Sequence, residues 1–278
     1  MIYYLEAADC CRLVKPLLGE AQSNVVINGV LNGNNRGKVY VDHREAPRAA
    51  LVWAENEMFY LVGRYEEAFY SRLEAFIAER IASEALRQGE DCFNLEVYSS
   101  EEAHAFVAGR FERKLNRGER IPFVFERERF EADDSGREEK LPDGYRLAEI
   151  DSVALATGAG GIIATEIIKF WPSIERFLAK GIGFCVMKDR EVVGTCLSVF
   201  VSGSEHEIGI NTYDPKHRGK GLATAMATAF MRKCLSIGGT PHWTTEQFRK
   251  DSIAIARKLG FRQLAGYPVY YLGFHDFV

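Results

Sequence analysis

The chain's 278 residues leave room for two compact units, and its 47% hydrophobic and 27% charged residues exclude wholesale disorder, collagen and coiled coil. With 35 Lys and Arg against 39 Asp and Glu the formal charge is −4, which excludes a broad phosphate-tracking surface for DNA or RNA but not a local basic pocket. No run approaches the ~20 apolar residues of a membrane helix, and the amino terminus carries Glu6 and Asp9 where an export signal places cations, so a soluble, cytoplasmic protein is expected.

In chain order, three β-prone runs, Lys38 to Asp42, Ala49 to Ala54 and Met58 to Val62, come first, separated by polar turns. Phe69, Leu73, Phe76, Ile77 and Ile81 then recur at helical spacing, and Gly89 can stop that helix. Phe93 to Tyr98 alternates apolar and polar, and Pro122 to Phe130 reads as a further strand. The segment Glu131 to Gly144 is charged, turn-rich and without periodicity. We therefore expect an N-terminal accessory α/β domain over 1–131, a linker over 132–144 and a second domain over 145–278.

The second domain reads as a strand (Tyr145 to Glu149), a helical region through Leu178 ended by Gly181, and strands at Gly183 to Lys188, Val192 to Val201 and Glu207 to Tyr213. Next come a helix from about Gly221, on which Leu222, Met226, Phe230 and Cys234 recur every fourth position, a strand at Thr240 to Thr245, and a helix at Asp251 to Leu259 stopped by Gly260. Strands around Gln263 to Leu272 close the chain. The six cysteines (10, 11, 92, 185, 196 and 234) have no CxxC spacing and read as reduced packing residues, so neither a metal site nor a disulfide framework is expected.

The segment Pro215-Lys216-His217-Arg218-Gly219-Lys220-Gly221-Leu222-Ala223 stands between a strand and a helix. Its glycines permit close backbone approach, the first helical N–H groups converge, and Lys216, Arg218 and Lys220 add positive charge, which together describe a site for phosphate or pyrophosphate. The same residues also read as a basic turn capping a helix. Other phosphate loops fit worse: Gly33 to Val39 is one residue short of a P-loop and ends in Val, and Gly181-Ile182-Gly183 lacks the third glycine of a dinucleotide fingerprint.

This loop resembles the acetyl-CoA pyrophosphate loop of GNAT N-acetyltransferases, Q/R-x-x-G-x-G/A, with Lys216 in place of Gln or Arg. Lys258-Leu259-Gly260-Phe261 is similar to the K-x-G-F ending of that family's next helix, at the expected distance. The resemblance covers Tyr145 to Phe274. It implies an α/β (α+β) GNAT fold in the C-terminal half, a mixed central sheet flanked by helices, with the N-terminal half either an accessory domain or a diverged GNAT-like half. Gly37 to Asp42, Trp53, Phe170-Trp171-Pro172-Ser173 and Gly181 to Cys185 are similar to a two-domain bacterial group that includes zwittermicin A resistance-type acetyltransferases.

The resemblance implies acetyl-CoA as co-substrate, no metal, and direct attack by a small-molecule primary amine in a ternary complex; a monomer or homodimer with neither nucleic acid nor membrane as partner is expected. The pyrophosphate would rest on Lys216, His217, Arg218, Gly219, Lys220, Gly221, Leu222 and Ala223. Backbone N–H groups of Thr212 and Tyr213 would polarise the thioester, and Arg249 and Ser252 would meet the coenzyme tail. An amine protonated at neutral pH needs a base, for which Glu207 and then Glu205 are the candidates. Period 2 puts both on one strand face with Asn211 and Tyr213, and His206 on the other, unless a bulge exchanges faces.

Glu166, Trp171 and Ser198 are candidates for the acceptor wall. The family's usual tyrosine acid falls on Ala256, and its asparagine on Arg249, so Tyr271, with Tyr267 and Tyr270, is the remaining source of a phenol. Those two departures leave open a non-catalytic acyl-CoA-binding module, and the acceptor could equally be a peptide or protein.

Overall fold

The computed structural model describes residues 1–109, 111, 114–134, 141–156 and 160–277. The chain divides into two compact units, Met1–Glu119 with Tyr267–Val278, and Arg120–Gly266. No helix among the described residues is long and apolar enough to cross a membrane.

The first unit opens with β1 (Tyr3–Leu5), α1 (Ala7–Val14) and α2 (Val25–Leu31). The antiparallel strands β2 (Gly37–Val41), β3 (Ala49–Ala54) and β4 (Met58–Gly63) follow, with β1 on the free edge of β2. Helices α3 (Glu67–Tyr70), α4 (Leu73–Phe76) and α5 (Ala82–Gln88), the last two joined by a π-helical turn, return the chain to β5 (Cys92–Tyr98), which lies parallel to β4. A parallel pair needs such a crossover. The helical stripe foreseen from Phe69, Leu73, Ile77 and Ile81 is buried, and Gly89 ends α5 at φ 84°. α6 (Glu101–Gly109) comes after β5.

The second unit takes the strand β6 (Asn116–Phe125) from Arg120 onward, then α7 (Arg127–Asp134), β7 (Tyr145–Glu149), α8 (Ser152–Leu155), α9 (Gly160–Phe170) and α10 (Ile174–Lys180). Strands β8 (Gly183–Lys188), β9 (Glu191–Ser202) and β10 (Glu205–Thr212) lead to α11 (Leu222–Ser236), β11 (Thr240–Glu246), α12 (Lys250–Lys258) and β12 (Phe261–Gln263). The sheet runs β6-β11-β10-β9-β8-β7, with β12 also on β6; only β10 and β11 are parallel. Leu222, Met226, Phe230 and Cys234 of α11 are buried in one core with Val186, Cys196 and Ile208, as their fourfold spacing requires.

Three expectations differ from this organisation. The strand read through Phe130 stops at Phe125, and α7 takes the start of the expected linker, where Asp134 accepts two bonds from the Arg232 guanidinium at 2.7 and 2.8 Å. Residues 135–140 of that linker lie outside the described residues. The last strand, β13 (Tyr267–Gly273), belongs to the first unit, antiparallel to β5, because Tyr270 and Leu272 enter the core built by Phe93 and Phe274.

Between Glu207 and Ile208 the β9–β10 register shifts, with Phe200 opposite Glu207 but Ser198 opposite Ile208, so the extra residue is Val199 of β9. Gly209 faces that bulge, and a Cβ there would collide with Val199 Cγ1. Gly209→Ala is therefore expected to cost about 1–3 kcal/mol of stability, most of it recovered when Val199→Ala is added. Urea denaturation checks this; a Gly209→Ala chain as stable as wild type would contradict the close approach.

Candidate active site

The parallel pairing of β10 with β11 covers only Glu205↔Thr240 to Glu207↔His242. Beyond it, β11 turns to β6, with Trp243↔Phe123 to Glu246↔Arg120, while β10 continues along β9 to Thr212↔Gly194. The two strands thus part toward their carboxyl ends, where open α/β sheets place ligands. Tyr213 N–H donates to Val193 O at 3.0 Å, and strand alternation then turns the Thr212 and Ile210 N–H groups to the edge that β11 has left. Of the two amides expected to polarise a carbonyl, only that of Thr212 faces the opening; the amide of Tyr213 is held by β9.

At the end of β10 the chain forms the anticipated loop. Asp214 caps the short 3-10 turn Pro215–His217 by accepting from Lys216 N at 2.9 Å, and its carboxylate also pairs with Lys216 Nζ at 2.8 Å. Gly219 and Gly221 then take φ values of 72° and 78°, a region in which an L side chain is strained. The first helical bond runs from Ala225 N to Gly221 O. The amides from Gly219 to Thr224 have no acceptor among the described residues. Any helix leaves its first turn unsatisfied; here Gly219 and Lys220 extend the run. A Cβ built on Gly219 or Gly221 would meet nothing within 4 Å, so the space beside them is open.

Tyr145, at the start of β7, anchors this loop. Its phenol accepts from Lys220 Nζ at 3.1 Å and meets His217 Nδ1 at 2.8 Å, while Lys188 and Lys220 lie 5.1 and 5.5 Å from its ring centroid. His217 is buried, so its imidazole supports the loop from behind while its backbone remains part of it. Neither Tyr145 nor Lys188 is marked by the sequence; Tyr145 is separated from His217 by 72 positions, and no local pattern announces the contact. Tyr145→Phe removes the oxygen that holds both Lys220 and His217, and is expected to cost about 0.5–1.5 kcal/mol of stability. Urea denaturation reads this directly, and an unchanged midpoint would contradict the anchoring role.

The bulge lies in β9, so β10 keeps its alternation and Glu205, Glu207, Gly209, Asn211 and Tyr213 share the face that α9 covers. Glu207 is 7% exposed and stands opposite Phe200, whose ring meets Phe170 of α9 at 5.9 Å. Glu205 is paired with His242 Nε2 across the parallel register. One turn before Phe170, Glu166 pairs with Lys169 at 2.6 Å. Tyr213 meets Thr195 through their hydroxyls at 2.9 Å, and burial, more than the Glu166 charge, raises its phenol above the ordinary value.

His206 lies on the opposite face, where Ser198 Oγ meets its Nδ1 at 3.0 Å and its ring packs on Phe230. Burial lowers its pKa to about 4, so it is neutral at pH 7.

Five sequence candidates are engaged or placed otherwise than expected. Trp171 is fully buried and donates its indole N–H to Ser198 O at 2.8 Å; Ser198 is equally buried, with its hydroxyl bound to Ile182 N at 3.0 Å and to His206. Both hold the interior of the unit together and line no acceptor wall. Ser252 Oγ accepts from Trp243 Nε1 at 3.0 Å, and Arg249, at the start of α12, is 3.6 Å from Glu246. Tyr271 lies on β13 of the first unit, opposite Asn94. Among the described residues no group of three or more His, Cys, Asp and Glu could hold a metal ion.

The chain is 26% identical over 263 residues to the uncharacterized N-acetyltransferase YdfB of Bacillus subtilis (strain 168), an alignment covering 94% of this chain and 95% of that protein. Its fold is similar to a GCN5-related N-acetyltransferase-like protein from Streptococcus suis, with a TM-score of 0.69 at 20% identity over 96% of this chain and 100% of that one. It is also similar to a tandem GNAT protein from the clavulanic acid biosynthesis pathway, with a TM-score of 0.58 at 13% identity over 99% and 98%. A family model described as GNAT acetyltransferase matches residues 15–270, and the chain belongs to that family.

Proposed function

We infer that the chain transfers an acetyl group from acetyl-CoA to a primary amine of a small molecule by direct attack in a ternary complex. The observation that carries this reading is the run of acceptorless amides from Gly219 to Thr224 beside open space and under Lys216, Arg218 and Lys220. Such a surface fits a diphosphate: N–H groups bind its oxygens, and the cations and the α11 dipole offset its charge. Bound there, acetyl-CoA supplies an activated thioester. Gly219, Lys220, Gly221, Leu222 and Ala223 supply the amides of the grip and Lys216, Arg218 and Lys220 its charge, while the His217 amide is already bonded to Asp214 O at 3.0 Å and only positions the turn; Arg249, 52% exposed and 3.6 Å from Glu246, is the proposed contact of the coenzyme tail.

Thr212 N–H, on the edge β11 has left, is the donor for a thioester carbonyl, where charge develops during attack. Glu207 is the base, and takes the proton that an amine of lysine-like pKa carries at neutral pH. Glu205 is the second candidate: it lies two residues further from the end of β10 that β11 has left, and it pairs with His242. Glu166, at the α9 wall, faces the same side of the sheet and is the proposed acceptor contact.

A covalent acyl-cysteine route is disfavoured by position. Cys196 is fully buried on the α11 side, and burial pushes its thiol well above the ordinary value, opposite to what a nucleophile needs. The test is thiol release from acetyl-CoA across a panel of aminoglycosides, polyamines, amino acids and peptides. Steady turnover with a small amine supports the reading; acetyl-CoA binding without turnover on any amine would leave only a binding module, and turnover confined to peptides would replace the acceptor class.

A further inference from the structure

The first unit repeats the strand plan of the second. In each, three antiparallel strands (β2-β3-β4; β8-β9-β10) lead through a helical crossover to a parallel neighbour (β5; β11), which pairs antiparallel on its far side (β13; β6). In the second unit the carboxyl end of the parallel pair carries the run of free amides. In the first it does not. β4 stays paired to Val62↔Tyr98, and Gly63, at φ 91°, leads directly into Arg64 with the Arg48 carbonyl where a Cβ would lie.

That position is instead a cleft of about 650 Å³, within the usual range for small-molecule sites. Ser99 Oγ donates to Gly63 O at 2.7 Å, and Arg64 N to Arg48 O at 2.8 Å, which fixes its floor. Pro16 and Leu17 give it an apolar wall. Its charges are not equivalent. Arg48 is engaged by Glu66 at 2.9 Å and Asp42 at 4.0 Å. Arg64 and Glu20, both exposed, have no side-chain partner among the described residues and do not pair with each other, although they line the same cleft. One free cation and one free anion therefore face a shared space beside an apolar wall.

We propose that this cleft binds a free amino acid as its zwitterion, the carboxylate on the Arg64 guanidinium, the ammonium on Glu20 and the side chain along Pro16 and Leu17. A planar guanidinium matches a carboxylate through two parallel bonds, and a ligand that carries both charges satisfies both walls without leaving either side chain desolvated and alone. The site is independent of the acetyl-transfer reading, since all its residues belong to the first unit.

The test is a thermal-shift and calorimetric titration of the full chain with each of the twenty common amino acids. The best ligand is then compared with the amine lacking its carboxylate and the acid lacking its amino group. The expected result is saturable 1:1 binding of at least one amino acid, with each half-molecule at least about 10-fold weaker. Arg64→Gln and Glu20→Gln should each weaken binding about 10-fold or more without lowering the Tm of the free chain, both side chains being exposed, and Gly219→Asp should leave binding intact. Absence of saturable binding by every amino acid, equal binding of a half-molecule, an unchanged Kd in Arg64→Gln, or loss of binding in Gly219→Asp would each overturn the proposal.

Discussion

Gly219→Asp is expected to abolish the thermal stabilisation given by acetyl-CoA and to lower kcat/KM for it by at least about 100-fold, roughly 2.7 kcal/mol of lost binding. Two effects combine. Gly219 has a φ of 72°, which an aspartate tolerates at a native-state cost of about 1–2 kcal/mol. The greater loss comes from a carboxylate placed among amides that would otherwise hold phosphate oxygens, where it occupies the donors and repels the ligand. Nothing lies within 4 Å of the added Cβ, so the fold has room for the change and the free chain should still unfold cooperatively. Gly219→Ala separates backbone strain from charge: it carries at least the conformational cost of aspartate, which enters this region more readily than alanine, without the carboxylate, and should retain part of the stabilisation. Undiminished stabilisation by acetyl-CoA in Gly219→Asp would remove the loop from the function.

The loop was legible because its signal is local. Two glycines, three cations and a following amphipathic helix occupy one short segment, and the positive φ values are what those glycines supply. The faces of β10 were legible for a different reason. Alternation is a property of one strand, and the irregularity that could have exchanged Glu207 with His206 fell on β9 at Val199. Trp171 and Ser198 were not, because residue type alone does not tell a lining group from an internal one. An indole N–H and a hydroxyl suit a substrate wall, but here they bond to a strand carbonyl and to a buried imidazole.

The organisation of the units was hidden by range. β13 completes the first unit from the far end of the sequence, and residues of β6 from Arg120 complete the second. A break in composition at Glu131 to Gly144 marks where polarity changes, not where packing does; α7 crosses its start because Phe130 is buried with Phe261 and Trp243. The repeated strand plan also left no trace as a sequence repeat. The two crossovers differ in kind: α3 to α5 contains a π-helical turn, whereas α11 is a single 15-residue helix. Topology can be shared while the side chains that satisfy it diverge.

Glu207→Gln is expected to lower kcat by about 100-fold or more while changing the acetyl-CoA Kd by less than about 2-fold. Glutamine keeps the shape and one acceptor oxygen of the buried side chain opposite Phe200, so packing against α9 changes little, but it cannot take a proton from an incoming ammonium. The cradle is built by separate residues at the other end of β10, which is why binding and turnover should respond differently. A structural role would move both together and would lower the Tm. The limb of the pH–rate profile that reports deprotonation of the acceptor system should then follow the free amine alone, because the intrinsic amine population replaces the base. Glu205→Gln is the internal control: Glu205 lies two residues further from the open end of β10 and pairs with His242, so its loss should cost less than about 10-fold in kcat. If Glu205→Gln proved the more damaging of the two, the base would be the Glu205–His242 pair, and the buried carboxylate opposite Phe200 would hold substrate without moving a proton.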